Sequence, residues 1–377
     1  MADGMKKGQR LVSLDIMRGM TVAGMILVNN GYGESFAALQ HSKWNGMTPC
    51  DLVFPFFLFI MGISTYLSLM KTGFKMSWAV MRKIAKRTVL LFLIGLGIHW
   101  VEMALEGRPF DFAHLRIWAV LQRIALCYFA VSMIAITVSH RHIVKIIVGL
   151  LVFYSVILIF GHGYDYDSTT NILAQVDLRL FGYDHLYHKS PVDPEGLLGT
   201  IPSIAHTFIG FYCDKLMMEA SQLQTKVLNF LFVGGILVIG GYLLSYALPL
   251  NKRIWSPSYV MMTCGLASLL QGIILDVERR KDGLRSSATQ GRSMKVGSHL
   301  STFFKVFGVN PLFLYVMSEL LAIVFGYTGV GAAIYHGICA VVPGSPQVLS
   351  LTYAIIFTLL HFVMGWVLYK RHIYIKL

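Results

Sequence analysis

An all-α integral membrane protein of about ten transmembrane helices, with both termini cytoplasmic, is what the sequence predicts. Three observations carry this. Of the 377 residues, 55% are hydrophobic and only 14% charged, with a mean hydropathy of +0.62, whereas a soluble domain carries about a quarter charged residues. Apolar runs near or above the ~20 residues that cross a bilayer recur along the whole length. Lysine and arginine segregate between alternate connections, as the positive-inside rule requires.

The spans follow in order. The start, MADGMKKGQR, is polar and basic, and the apolar run behind it, near 13–32, has no good small-residue cleavage site before the next helix. It reads as a retained first span rather than a signal peptide. Further runs lie near 50–70, 87–105, 116–138, 143–161, 197–217, 227–248, 257–276, 302–326 and 349–369. The stretch GVGAAIYHGICAVVP, 329–343, is short and glycine-rich and reads as a re-entrant or interfacial piece. No internal repeat or soluble second domain appears, so 1–377 is one transmembrane domain. The basic, Ser/Gly-rich segment of about 278–300 reads as a flexible cytoplasmic loop.

With the N-terminus inside, 24 Lys and Arg residues fall on inner segments, against seven outside: Lys43, Arg108, Arg116, Arg179, Lys189, Lys252 and Arg253. Acids lean outward, including Glu34, Glu106, Asp111, Asp165, Asp167, Asp177, Asp184, Asp193 and Glu195. The inner face suits a polyanion and the outer face a cationic or hydroxyl-rich ligand, although topology alone can also produce the contrast. The net charge of +13 is therefore an orientation signal. Nucleic-acid binding is excluded because no basic face exists apart from the loops. The five cysteines are odd in number, show no CxxC or Cys/His spacing and lie in or beside apolar segments, which predicts neither a disulfide nor a metal site. GxGxxG, Walker, HExxH and GxSxG motifs are absent.

Candidate chemistry gathers on the outer side. His41 stands about ten residues before the second span in HSKWNGMTPCDLVFPFF. Imidazole is the side chain that exchanges protons near neutrality, though a histidine in an outer loop is commonly just polar. Asn29 and Asn30 end the first span close to that loop; an amide can orient a base or donate to a developing oxyanion, or merely cap the helix. Asp193 and Glu195, in SPVDPEGLLGTIPSI, flank Pro194 at another outer mouth, where they can grip an ammonium and sugar hydroxyls or simply suit a helix N-terminus. Trp44 and Trp255 are aromatic candidates for contact with a sugar. The loop 162–196, rich in Tyr, Asp and His, is long enough to hint at function.

Inside the spans, Asp15 and Arg18 sit three residues apart and either pair with each other or leave Arg18 for a phosphate. Arg123 needs a partner, for which Asp51 and Glu102 are candidates. Glu319 and His206 are further intramembrane polar groups of low specificity.

RLVSLDIMRGMTVAGMILVNN followed by HSKWNGMTPCDLVFPFFLFIMG resembles the transmembrane acyltransferase family of heparan-α-glucosaminide N-acetyltransferase and its bacterial relatives. LQRIALCYF, DPEGLLGTIPSI, NKRIWSPSYV and FGVNPLFLY resemble family segments in the same order, so the likeness spans residues 10 to about 320. It implies transfer of acetyl from cytosolic acetyl-CoA, with no metal, to the amine of a glucosamine across the membrane. It implies that His41 is the active-site histidine, that Asn29 or Asn30 assists it, and that Asp193 and Glu195 contact the amino sugar. On that basis the inner Arg18, Arg82 and Lys83 hold the coenzyme A nucleotide.

The lysosomal members carry an extra luminal N-terminal region and a further span. This chain starts almost directly at the shared segment, which points to a glucosamine monosaccharide or short glycan at a bacterial inner membrane, with His41 periplasmic. A homodimer is admitted, not required. The rival readings are a multi-span transporter of a sugar or organic acid and an O-acetyltransferase of an outer glycan.

Overall fold

The computed structural model describes residues 12–287 and 296–375. The expected basic residues Lys6, Lys7 and Arg10, and residues 288–295 of the expected loop, lie outside them. Thirteen α-helices run in order: α1 Val12–Asn29, α2 Val53–Met70, α3 Trp78–Leu105, α4 Val120–Thr137, α5 Ile143–Phe160, α6 Ile172–Phe181, α7 Thr200–Glu219, α8 Leu223–Leu244, α9 Pro257–Ser287, α10 Val296–Val309, α11 Pro311–Thr328, α12 Val330–Val341 and α13 Pro346–Lys370. No strand occurs among the described residues. Lipid offers no partner for a backbone N–H or C=O, so each apolar run closes its hydrogen bonds internally.

Among the described residues, nine helical segments are long and apolar enough to cross a membrane. The expected tenth, α7, is 20 residues long but carries Asp214, Lys215 and Glu219 and falls short in apolarity. It is sheltered instead: thirteen of its residues are buried, on all sides of the helix, between α2, α4, α5, α8 and α9. The most apolar helices, α5 and α8, keep only 22% of their apolar windows inside the bundle, as lipid-facing segments should.

Three sequence readings are refined. The single span near 302–326 is broken, α10 ending at Val309 and α11 opening at Pro311. Proline lacks an N–H and disfavours the helical conformation in the residue before it. The freed Asn310 donates from Nδ2 to the Ile373 carbonyl at 2.9 Å and accepts from the Ile375 N–H at 2.8 Å, clamping the C-terminal segment. The short 329–343 stretch is a true helix, α12, entered through Gly329 at φ +73°, where glycine avoids the side-chain clash of the left-handed region. The expected loop over 278–300 is also narrower, since α9 runs to Ser287 and α10 starts at Val296.

Glycine sets the closest helix contacts. A Cβ on Gly62 of α2 would fall 2.0 Å from the Thr207 carbonyl oxygen of α7, and one on Gly210 would fall 2.1 Å from that of Phe59. Gly19 and Gly308 play the same part between α1 and α10. Such small-residue crossings let backbones touch where no hydrophobic effect drives association.

The outer loop between α5 and α7 is fixed by buried polar groups. Asn171 caps α6, accepting from the Leu173 N–H at 2.9 Å while donating to the Gly163 and Asp165 carbonyls. Asp177, only 1% exposed, accepts from the Leu197 N–H at 3.0 Å. Burial pushes its carboxyl up to about 7.

Two outcomes are expected. Gly62→Val should lower Tm in detergent by 5 °C or more, since forced overpacking costs at least ~1–3 kcal/mol. For Asp177, the folded state keeps a proton that the unfolded chain releases near its ordinary value of 3.8, so stability falls as pH rises towards 7. Asp177→Asn should therefore melt higher than wild type by a few degrees at pH 8, with the gap closing towards pH 4, as thermal scans across that range would record.

Candidate active site

The site begins with a capping motif. Thr48 and Asp51 form a capping box on the short 3₁₀ turn Pro49–Leu52 that leads into α2. The Asp51 side chain is wholly buried. Its Oδ2 accepts from the backbone N–H of Thr48 at 3.0 Å and of Ser42 at 3.1 Å, and Tyr259 donates to its backbone carbonyl at 2.6 Å. Oδ1 is then directed at His41, whose Nδ1 lies 2.8 Å away. A carboxylate on Nδ1 fixes the proton there and leaves Nε2 as the acceptor. This is the arrangement that makes an imidazole a general base.

Lys252 closes over the pair from the turn between α8 and α9. Its Nζ lies 3.0 Å from His41 Nδ1, 3.3 Å from His41 Nε2 and 3.5 Å from Asp51 Oδ1. Burial pushes the ammonium below the usual lysine range, with Asp51 opposing the shift. Cys50 Sγ approaches His41 Nδ1 at 3.1 Å on the other side.

A cavity of about 630 Å³ opens in front of the ring. Its lining includes His41, Asn29, Asn30 and Glu195, with Gly95 and His99 of α3, Gln122 of α4, and Tyr315 and Glu319 of α11. The two asparagines differ. Asn30 Nδ2 donates to the Ile26 carbonyl at 2.8 Å and so closes the end of α1. The Asn29 side chain makes no hydrogen bond to the described residues and stays exposed.

Arg116 organises the acids. One of its nitrogens, Nη2, donates to Glu195 Oε2 at 3.0 Å and to Asp193 Oδ1 at 3.3 Å, and its guanidinium lies 4.6 Å from the centre of the Tyr187 ring. Asp193 also accepts from the N–H groups of Tyr187 and Glu195. It is buried, lies outside the cavity lining and clamps the loop that carries Tyr187 and Glu195. Glu195 does line the cavity, with Oε1 outside any ion pair.

Trp255, 1% exposed, packs against Phe54, Tyr259 and His206 beneath the Arg123 guanidinium. Trp44 donates to the Tyr164 carbonyl at 2.9 Å and sets its edge against Tyr166. Neither lines the cavity; their large apolar faces bury more surface in the core than at its rim. Arg123 pairs with the Gly196 carbonyl at 2.9 Å rather than with Asp51, which His41 holds, or Glu102, which faces His99 at 3.8 Å.

Arg18, Arg82 and Lys83 stand apart from the cavity. Arg18 bonds Asp15 at 3.0 Å and Ser64 at 2.9 Å. Arg82 and Lys83 are exposed near the start of α3, and Lys83 reaches Ser68 at 3.3 Å. Of the candidates from the sequence, the fold thus gathers His41, Asn29, Asn30 and Glu195 at one cavity. It adds Asp51, Lys252, Arg116 and Gln122, which sequence reasoning had not assigned to it. The T-x-x-D capping pattern ahead of an apolar run was the one available signal for Asp51.

The family model for "Heparan-alpha-glucosaminide N-acetyltransferase, catalytic" matches residues 10–248. Heparan-alpha-glucosaminide N-acetyltransferase of Homo sapiens is 28% identical over 429 residues, covering 98% of this chain and 60% of the human protein. That of Mus musculus is 30% identical over 373 residues, covering 83% of this chain and 54% of the mouse protein. The chain therefore spans less than two thirds of the length of either relative. The extent of the family match places this helical membrane protein among the acyltransferases: it belongs to the heparan-α-glucosaminide N-acetyltransferase family.

Proposed function

We propose that this protein moves acetyl from cytosolic acetyl-CoA to the amine of a glucosamine-type sugar on the opposite side of the membrane. The observation that carries the reading is the convergence of a buried carboxylate–imidazole pair, a free asparagine amide and an arginine-held glutamate on one cavity. The cavity volume suits a small-molecule site. The excess of Lys and Arg on the other connections supports placing the cavity mouth outside and the α3 start in the cytosol.

Acetyl-CoA, when bound, supplies an acetyl group already activated as a thioester. The chain's own groups then need to position, deprotonate and stabilise. His41 Nε2, its tautomer set by Asp51, takes the proton from the amine as the C–N bond forms and returns it to the sulfur as the C–S bond breaks, so that the coenzyme leaves as its thiol. The Asn29 amide donates to the carbonyl oxygen as negative charge gathers there. Glu195, held through Oε2 by Arg116, offers Oε1 to the amine or to a sugar hydroxyl. Arg82 and Lys83 precede Gly95 by ~20 Å along the α3 axis. They supply positive charge for the nucleotide phosphates at the far end. The membrane is a bacterial inner membrane on this reading, with His41 facing the periplasm.

In proteoliposomes loaded with acetyl-CoA, His41→Ala should lower kcat by about 10³-fold and Asp51→Asn by about 10²-fold or more. Product formation is to be read by mass spectrometry. His41→Ala activity within about threefold of wild type would remove the base from the mechanism. Glu195→Gln should raise KM for glucosamine about tenfold and leave KM for acetyl-CoA within about twofold, as initial-rate kinetics varying each substrate in turn would separate.

A further inference from the structure

Gln122 is placed in a way the chain alone does not explain. It lies in the first turn of α4, is wholly buried, and neither its Nε2 nor its Oε1 has a hydrogen-bond partner among the described residues. A buried amide left unmatched costs about 1–3 kcal/mol, and a leucine would fill the same volume without that cost. Room is made for it. The amide packs directly on Gly95 of α3, where a Cβ would fall 2.5 Å from Oε1 and 2.7 Å from Nε2. Gly95 and Gln122 both line the cavity that holds His41.

A second unmatched group continues the line. Thr88 precedes Gly95 by seven residues, which puts it on the same face of α3, ~10 Å towards the helix start. Its Oγ1 is buried and unpartnered. Thr65, Thr137 and Thr207 each donate to the carbonyl four residues earlier, at 2.8–2.9 Å; Thr88 does not. Two polar groups awaiting a partner thus run from the cavity along α3 towards Arg82 and Lys83.

The ligand for such a track has to be narrow and to carry hydrogen-bonding groups at intervals. A sugar offers hydroxyls on every side and suits the wider, charged mouth by Glu195 and Arg116. A primary amide presents a donor beside an acceptor, the complement of a secondary amide. We propose that Gln122 pairs with the amide of the pantetheine arm nearest its sulfur, and Thr88 with a polar group further along the same arm. This rests on the acetyl-CoA reading above. It makes Gln122 a determinant of donor choice: the residue distinguishes a thioester borne on an amide-containing arm from a simple one.

The test joins binding to a donor series. Coenzyme A is titrated calorimetrically into wild type and Gln122→Leu in nanodiscs. The variant should bind about tenfold more weakly, with an unliganded Tm no lower than wild type because an unmatched amide has been removed. Transfer rates are then compared with acetyl-CoA, with N,S-diacetylcysteamine, which keeps the amide, and with S-ethyl thioacetate, which lacks it. The loss in Gln122→Leu should be about tenfold with the first two and absent with the third.

An equal loss with all three donors, or a raised KM for the amino sugar alone, overturns the assignment. Unchanged coenzyme A affinity in the variant overturns it while leaving the acetyl-CoA reading intact, whereas a wild-type protein that does not bind coenzyme A overturns both. If Gln122→Leu does not fold, Gln122→Met carries the same comparison. Thr88→Val should weaken coenzyme A binding to a smaller extent without changing the donor pattern.

Discussion

The Asp51 carboxylate is the constraint around which the site is arranged. It is wholly buried at the lip of a membrane span, where an unsolvated charge is expensive. The chain offsets that cost with groups that also do something else. The Thr48 and Ser42 N–H groups that satisfy Oδ2 fold the loop carrying His41. The Tyr259 hydroxyl on its carbonyl ties that loop to α9. Lys252 brings a cation from the α8–α9 turn. What remains of the carboxylate's acceptor capacity falls on His41 Nδ1. The ring is therefore oriented by the same bonds that make the charge tolerable, and loosening one disturbs the other.

The bundle around the site divides by chemistry. The two most apolar spans, α5 and α8, turn most of their surface outward, while the polar α7 is wrapped by its neighbours. Gly62 and Gly210 let α2 press against α7, and α2 carries the turn that holds Asp51. The close crossing thus sets where the loop that bears His41 meets the start of α2. On the far wall, the Asn310–Pro311 break starts α11 afresh, and Tyr315 and Glu319 of that helix face the cavity. Inside 10–248, the region of the family match, lie His41, Asp51 and the asparagines. Tyr315 and Glu319 line the cavity from beyond it, and Lys252 packs on His41.

Much of this was legible in the sequence because membrane physics writes it in long runs. Span number and order follow from apolar length, and α7 was found despite its acids because its run is long. His41, Asn29, Asn30 and Glu195 stood out as polar groups at the edges of such runs. What was illegible is pairing. Arg123 needed a partner, and Asp51 and Glu102 were the acids in view. Nothing in a linear chain shows that His41 had claimed Asp51 from ten residues away, or that a Trp255 ring and the Gly196 carbonyl would serve the arginine. Trp255 looked like a rim residue for the same reason. Its neighbours in sequence are polar, but its neighbours in space are Phe54, Tyr259 and His206. The break at Pro311 was written in the sequence; a continuous apolar run masked it.

The balance of charge in the cavity bears on what it can receive. Glu195 is matched by Arg116, and Asp51 by His41 and Lys252. These pairs settle their own desolvation within the protein, so the cavity does not depend on an ionic ligand to be stable. Two neutral amides at the cavity, those of Asn29 and Gln122, have no hydrogen-bond partner among the described residues. A neutral amide gains little from a charged ligand's long-range pull but gains a full hydrogen bond from a carbonyl or an N–H brought within ~3 Å. Such a site binds by fit along a narrow path and reserves its charged pairs for orientation, which is the division of labour that transfer between two bound partners needs.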